Sequence, residues 1–247
     1  MLKVTEDCIK WIRNYFKESG GETAIIGISG GKDSTVATAL CVKALGANKV
    51  VGVMMPQGIQ NDISDSYKVI NFLGIPFLNI NIGPTVNSLC GEIDLAYDYD
   101  KCCINNSMIK TNLPARIRMT TLYAIAALYP NSRVVNTCNL SEDYVGYSTK
   151  YGDAAGDFSP LGNLTVREVL EIGDDLGLPH DLVHKAPSDG MCGKTDEDNL
   201  GFTYEELDGF LLCESGLTPE TMSKVARLHK ATRHKYTPMP IFNKGEN

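Results

Sequence analysis

Thr23-Ala24-Ile25-Ile26-Gly27-Ile28 runs straight into Ser29-Gly30-Gly31-Lys32-Asp33-Ser34, and an Ala- and Leu-rich stretch then continues to Leu45 and stops at Gly46. The first segment, short, apolar and rich in β-branched residues, predicts a buried parallel strand. The stretch from Ser34 to Leu45, with glycine just past its end, predicts a helix. A turn of small residues joining such a strand to a helix N-terminus makes an anion site, because the first backbone N–H groups of the helix point unpaired into the turn. A phosphate is the expected ligand.

Register decides which phosphate turn this is. A Walker A loop would need Gly at position 26 and Ser or Thr at 33, where this chain has Ile26 and Asp33, so that reading fails twice. A carboxylate at the mouth of a phosphate cradle is repelled by about 4 kcal/mol per unit charge at roughly 4 Å and an effective dielectric of ~20. A divalent cation lying between Asp33 and the phosphates turns that cost into attraction, and Mg²⁺ suits carboxylate and phosphate oxygen. Ser-Gly-Gly-Xaa-Asp-Ser after a strand resembles the pyrophosphatase loop of enzymes that cleave ATP between its α- and β-phosphates to adenylate a substrate.

Working outward, Thr5 to Ser19 carries Ile9, Ile12, Tyr15 and Phe16 at helical spacing before Gly20-Gly21, an amphipathic helix. Beyond the turn, strands are predicted at 49–56, 76–81 and 133–138, with helices at 62–72 and, more weakly, 84–99. Alternating strand and helix imply an α/β doubly wound parallel sheet with helices on both faces and the ligand beyond the carboxyl ends of its strands. A long helix is predicted from Asn112 to Leu128 with Pro114 in its first turn, where a missing N–H does no harm. Arg116 and Arg118 then oppose the helix dipole, so a protein carboxylate or a ligand phosphate should compensate them. Glu142 stands just past the fourth strand, where a second ligand for the cation at Asp33 would have to be.

Gly146 to Asp157 has little apolar content and reads as a binding loop. Thr165-Val166-Arg167-Glu168 and Thr203-Tyr204-Glu205-Glu206 are capping boxes that start helices. Between them, 185–200 is a polar, Gly-bearing stretch with the character of a lid. Thr218-Pro219 starts the last helix, which Arg233-His234-Lys235 ends with positive charge.

Composition limits the possibilities further. The 247 residues carry a net charge of −7, which gives no global footprint for nucleic acid. Eight cysteines are scattered without zinc spacing, as expected for reduced thiols in a cytoplasmic protein. There is no apolar signal core and no run approaching ~18 apolar residues, so no membrane association is expected.

The order of motifs resembles the ammonia-dependent NAD⁺ synthetase family: Ser29 to Ser34, Pro114-Ala115-Arg116-Ile117-Arg118-Met119, Thr137-Cys138-Asn139-Leu140-Ser141-Glu142, Thr149-Lys150-Tyr151-Gly152-Asp153 with Asp157, Lys185-Ala186-Pro187-Ser188, and His234-Lys235. The resemblance covers nearly the whole chain. It implies a single synthetase domain over 1–247, a Rossmann-like fold, and adenylation of deamido-NAD⁺ by ATP followed by attack of ammonia, giving NAD⁺, AMP and pyrophosphate. Carried over, Gly27, Ile28, Ser29, Gly30, Gly31, Lys32, Asp33 and Ser34 hold ATP phosphates, Thr137 and Ser188 also contact ATP, and Asp33 and Glu142 bind Mg²⁺. Lys32, Asp33, Ser34 and Asp157 are the expected catalytic residues. Arg116, Lys150, Asp157, His234 and Lys235 bind deamido-NAD⁺, and Tyr123 is a weaker candidate for the nicotinate pocket.

Family members are homodimers, and the long helix has more apolar surface than one sheet face needs. Only 26 residues precede Gly27, too few for an amide-hydrolysing domain, so free ammonia or a separate subunit is expected to supply the nitrogen. Where many members have a lysine that touches ATP this chain has Val166, so that role is either unfilled here or falls to Arg167. The competing readings are another adenylating enzyme of the same loop superfamily, which should show a basic face, and a non-catalytic adenine-nucleotide module, which would not need Asp33 with Glu142.

Overall fold

The computed structural model describes residues 1–96, 107–185, 196–214, 217–242 and 244. Four strands, β1 (Thr23–Gly27), β2 (Val50–Met54), β3 (Phe77–Asn79) and β4 (Ser132–Val134), form one sheet in the order β3-β2-β1-β4. All neighbours are parallel, with Ile25 opposite both Val51 and Val134. The helices are α1 (Lys3–Ser19), α2 (Lys32–Leu45), α3 (Ile63–Leu73), α4 (Gly83–Ala96), α5 (Ser107–Ala126), α6 (Leu140–Val145), α7 (Val166–Asp175), α8 (His180–Val183), α9 (Asp196–Leu200), α10 (Tyr204–Leu211) and α11 (Pro219–Thr232).

Two cores sandwich the sheet, because every side chain of β1 and β2 alternates between faces that are both covered. Ile26, Val50 and Met54 join α1, α2, α3, α7 and α8 through Ile12, Leu40, Ile70, Ile172 and Leu182. On the other face Ile25, Val51 and Val53 meet Val86 of α4 with Met119 and Leu122 of α5. A third cluster, built on Val145, Val166, Leu207 and Val225, ties α6, α7, α10 and α11 together beside the sheet. The chain reverses direction across the sheet between β1 and β4, so the crevice beyond their carboxyl ends is the topological switch point at which ligands of open α/β sheets bind. The phosphate turn leaves β1 there, and α6 follows β4 there.

Several boundaries differ from the sequence reading. The fourth strand is shorter than 133–138, since Val135 pairs with Phe158 and the Asn136 N–H is taken by the Phe158 carbonyl. The helix at α5 begins at Ser107, so Pro114 lies inside it rather than in its first turn. Pro114 is tolerated despite the missing hydrogen bond because it is buried with Met119, Leu122 and Ala126, packing that outweighs local propensity. Arg116 and Arg118 are therefore mid-helix, and the dipole argument for their partners does not apply. Part of the proposed lid is helical, as α9. The polar stretch 98–106 and residues 186–195, which include Ser188, lie outside the described residues.

Candidate active site

The phosphate turn is closed by its own hydroxyls. Ser29 Oγ accepts from the Gly31 N–H at 3.2 Å and lies 3.0 Å from Ser34 Oγ, while Thr35 Oγ1 donates to the Gly31 carbonyl at 2.7 Å. With the Thr35 N–H already bonded to Gly31, the N–H groups of Lys32, Asp33 and Ser34 are the ones a helix start leaves for an anion. The expected helix start at Ser34 thus moves to Lys32, which puts Lys32 and Asp33 in the first turn. Gly30 is required twice over: its φ is +83°, and a Cβ there would meet Asp65 Cβ and the Ser66 backbone nitrogen at 2.9 Å. The turn rests this closely on the start of α3, where buried Ser66 donates to the Ile28 carbonyl at 3.0 Å.

Asp33 and Glu142 are brought together by Lys32. Its Nζ lies 2.8 Å from Asp33 and 3.8 Å from Glu142, and all three side chains are at least four-fifths buried. Asn139, completely buried, braces both residues: Nδ2 donates to the Asp33 carboxylate at 2.9 Å, and Oδ1 accepts the Glu142 backbone N–H at 3.0 Å as the cap of α6. Burial opposes the charge on Lys32, but Asp33, Glu142 and Asp196 outweigh it and hold the ammonium above the ordinary lysine range. Burial, then Asp33, pushes the Glu142 carboxyl well above the usual carboxylate range, against the pull of Lys32. Asp33 and Glu142 thus share one lysine in a buried place. Such a set of hard oxygen donors fits a divalent cation of the Mg²⁺ type.

A second group gathers at the end of α11. Arg116 donates to the Lys150 carbonyl at 3.2 Å, Lys150 Nζ to the His234 carbonyl at 2.5 Å, and Lys235 Nζ to the Gly146 and Ser148 carbonyls at 2.7 and 2.9 Å. The structure thus brings Arg116, Lys150, His234 and Lys235 together. Gly146 makes the approach possible, since a Cβ there would overlap the Thr232 side chain of α11.

Asp157 sits one step away. Its carboxylate accepts from Tyr123 Oη at 3.0 Å and from the Val134 N–H at 2.7 Å, and partial burial with the Asp157 charge pushes the Tyr123 phenol up to about 12. Asp157 lines two grooves, one of about 570 Å³ with Tyr15, Tyr123 and Arg133, the other of about 230 Å³ with Asp143, Lys235 and Tyr236. No residue of 27–34 lines either groove. Thr137 is half-buried just past β4.

Arg167 has an acidic partner of its own. It forks onto Glu214, at 2.7 and 3.3 Å, on an exposed edge, while Val166 is buried among apolar neighbours. Ser66, Asn139 and Tyr204 are residues the sequence reading assigned no part in the site. For Asn139 a signal existed, the Asn-Xaa-Xaa-Glu spacing of a helix start. Asn139→Ser keeps a capping acceptor but removes the donor to Asp33. Its thermal unfolding midpoint should change little, while kcat/KM for ATP falls about 10- to 100-fold, the range seen when groups behind a metal ligand are removed; steady-state kinetics alongside calorimetry check both halves.

The family model described as NAD synthase matches residues 4–240. An NH3-dependent NAD⁺ synthetase of Methanocaldococcus jannaschii is 38% identical, over 97% of this chain and 96% of its own length. Among solved structures, NMN synthetase from Francisella tularensis superposes with a TM-score of 0.88 at 33% identity, covering 98% of each chain. NH3-dependent NAD synthetase from Campylobacter jejuni, a complex with nitrate, gives 0.75 at 28% identity, also covering 98% of each.

Proposed function

The chain belongs to the NAD synthase family, and we propose that it acts as a single-domain, ammonia-dependent ligase that converts deamido-NAD⁺ to NAD⁺ with cleavage of ATP. The observation that carries this reading is the presence of two built sites in one chain: a phosphate turn with Lys32, Asp33 and Glu142 beyond the carboxyl end of β1, and a cluster of Arg116, Lys150, His234 and Lys235 at the end of α11.

In the first half-reaction a nicotinate carboxylate oxygen attacks the α-phosphorus of ATP, and the bond to the bridging oxygen breaks to release pyrophosphate. The free N–H groups of Lys32, Asp33 and Ser34 and the Lys32 ammonium stabilise charge on the departing phosphates, in the way preorganised donors do at a developing anion. Mg²⁺ held by Asp33 and Glu142 would neutralise phosphate charge. In the second half-reaction ammonia adds to the acyl carbon, the bond to AMP breaks, and one proton is lost as the amide forms. Arg116, Lys150 and Lys235 supply positive charge and, with His234, donors for the dinucleotide; Asp157 lines one groove with Lys235 and another with Tyr123.

One observation favours a second reading, the same chemistry on nicotinate mononucleotide: the fold is nearer to the NMN synthetase, at 0.88, than to the Campylobacter enzyme, at 0.75. Incubating the protein with ATP, Mg²⁺, ammonium and either nicotinate nucleotide, then separating products by mass, decides between them. Equal yields of NAD⁺, AMP and pyrophosphate are the expected result. Amidation confined to the mononucleotide favours the second reading, and release of ADP overturns both.

A homodimer is part of this proposal. Met108 and Tyr123 on α5, with Leu128 just beyond it, are 67%, 40% and 73% exposed, and large exposed apolar side chains along one helix suit a symmetric interface. Sedimentation at micromolar concentration should give twice the chain mass, and a fully active monomer would contradict it. No helix among the described residues is long and apolar enough to cross a membrane; a cytoplasmic place fits the free thiols.

A further inference from the structure

Tyr204, the first residue of α10, is 4% exposed, and its Oη has no hydrogen-bond partner. A buried phenol usually finds one, since an unmade hydrogen bond of a desolvated hydroxyl is costly. The ring lies beneath Lys32, whose Nζ is 5.5 Å from its centre, and the hydroxyl is within electrostatic reach of Glu142, Asp196 and Asp33.

Its position is set firmly. The Tyr204 N–H donates to Glu197 Oε1 at 2.9 Å, and the capping box of Thr203 with Glu206 starts the helix. One turn on, on the same face, Asp208 accepts from Ser141 Oγ at 2.5 Å and from the Arg167 N–H at 2.8 Å. Ser141 is the neighbour of Glu142 in α6, so α10 is locked against the element that aims the carboxylate. A lone hydroxyl held rigidly beside the lysine that Asp33 and Glu142 share is arranged to meet something that arrives with the nucleotide.

Resting on the reading of the phosphate turn as a magnesium–nucleotide site, we propose that Tyr204 is a positioning residue for the cation, its hydroxyl bonding to the hydration shell of the divalent ion held by Asp33 and Glu142. Mg²⁺ keeps several of its waters when bound by one or two carboxylates and phosphate, and these waters need acceptors and donors around them. Lys32 cannot accept, and Asn139 is already committed to Asp33 and to the α6 cap. Tyr204 is the buried neutral hydroxyl that the described residues leave for this use.

The test is Tyr204→Phe, which removes only an oxygen without a partner. In the protein free of metal and nucleotide its unfolding midpoint should equal or exceed that of the parent, as expected when an unsatisfied polar atom is deleted. Mn²⁺ affinity, read by electron paramagnetic resonance in the presence of a non-hydrolysable ATP analogue, should fall about 10- to 100-fold. Equal Mn²⁺ affinity in the two proteins overturns the proposal for Tyr204 alone. If the parent itself takes up no Mn²⁺ with the analogue, the nucleotide reading of the turn fails and this inference with it. A lower midpoint for the metal-free variant assigns the hydroxyl a purely structural role and also overturns it.

Discussion

Asp33→Asn should lower kcat/KM for ATP by about 10²- to 10³-fold, the loss typical of one interaction made to developing charge, and leave the protein folded. Asp33 accepts from Lys32 at 2.8 Å and from Asn139 at 2.9 Å and is mostly buried. An asparagine of the same shape keeps one acceptor for these two donors and turns its amide toward the other. That mismatch costs about 1–3 kcal/mol, within the margin of a domain of this size. The electrostatic consequence is larger. With Asp33 neutral, Lys32 and Glu142 balance each other, and the attraction for a divalent cation drops by a unit charge in a poorly screened place.

The variant should therefore need much more Mg²⁺ for half-maximal rate, in addition to losing rate at saturation. Kinetics over a Mg²⁺ series, with calorimetry as the control for folding, measure both effects. Near-normal turnover at ordinary Mg²⁺ would falsify the assignment of Asp33 as a cation ligand.

What was legible in the sequence was whatever depends on contiguous residues. The β1-turn-α2 unit shows in Thr23 to Leu45 because a buried strand must be apolar throughout and a helix N-terminus must leave N–H groups free. Both capping boxes are observed as read, at Thr165 with Glu168 and Thr203 with Glu206. Pro114 misled because a proline is a helix-start signal only when nothing overrides it, and burial of α5 against the sheet does. The clustering of Arg116 and Lys150 with His234 and Lys235 was foreseen only through the family resemblance, because spacings of 34 and 84 residues carry no periodicity.

Tyr204 was hidden for a related reason. In the sequence it is the first residue after a helix cap, and only the packing of α10 on α6 through Asp208 and Ser141 turns it toward Glu142. Val166 and Arg167 show the limit of position-by-position reading: adjacent residues on a helix point about a quarter-turn apart, and Arg167 pairs with Glu214 while Val166 is buried.

The nitrogen source should show itself in pH dependence. Ammonium has no lone pair, so only neutral ammonia attacks the acyl adenylate. At fixed total ammonium well below its pKa the rate should rise roughly tenfold per pH unit until another ionisation intervenes. Glutamine in place of ammonium should give no NAD⁺, in line with relatives named as NH3-dependent enzymes. Asp157 can soften the slope by drawing ammonium into the groove and taking its proton. Two of its lone pairs are occupied by Tyr123 and the Val134 N–H, which leaves acceptor capacity on each oxygen.

Asp157→Asn preserves that frame, with its amide oxygen accepting from Val134 and its amide nitrogen donating to Tyr123 Oη in place of the bond it received. Only the charge and the basic site are removed. The apparent KM for ammonium at neutral pH should then rise several-fold more than the KM for ATP, and the pH–rate slope should steepen toward that of free ammonia. Initial rates with ammonium and with glutamine from pH 6 to 10, for the parent and Asp157→Asn, separate these effects. Equal shifts in both KM values would assign Asp157 to dinucleotide binding alone, and robust glutamine-driven synthesis by the purified chain would overturn the ammonia assignment.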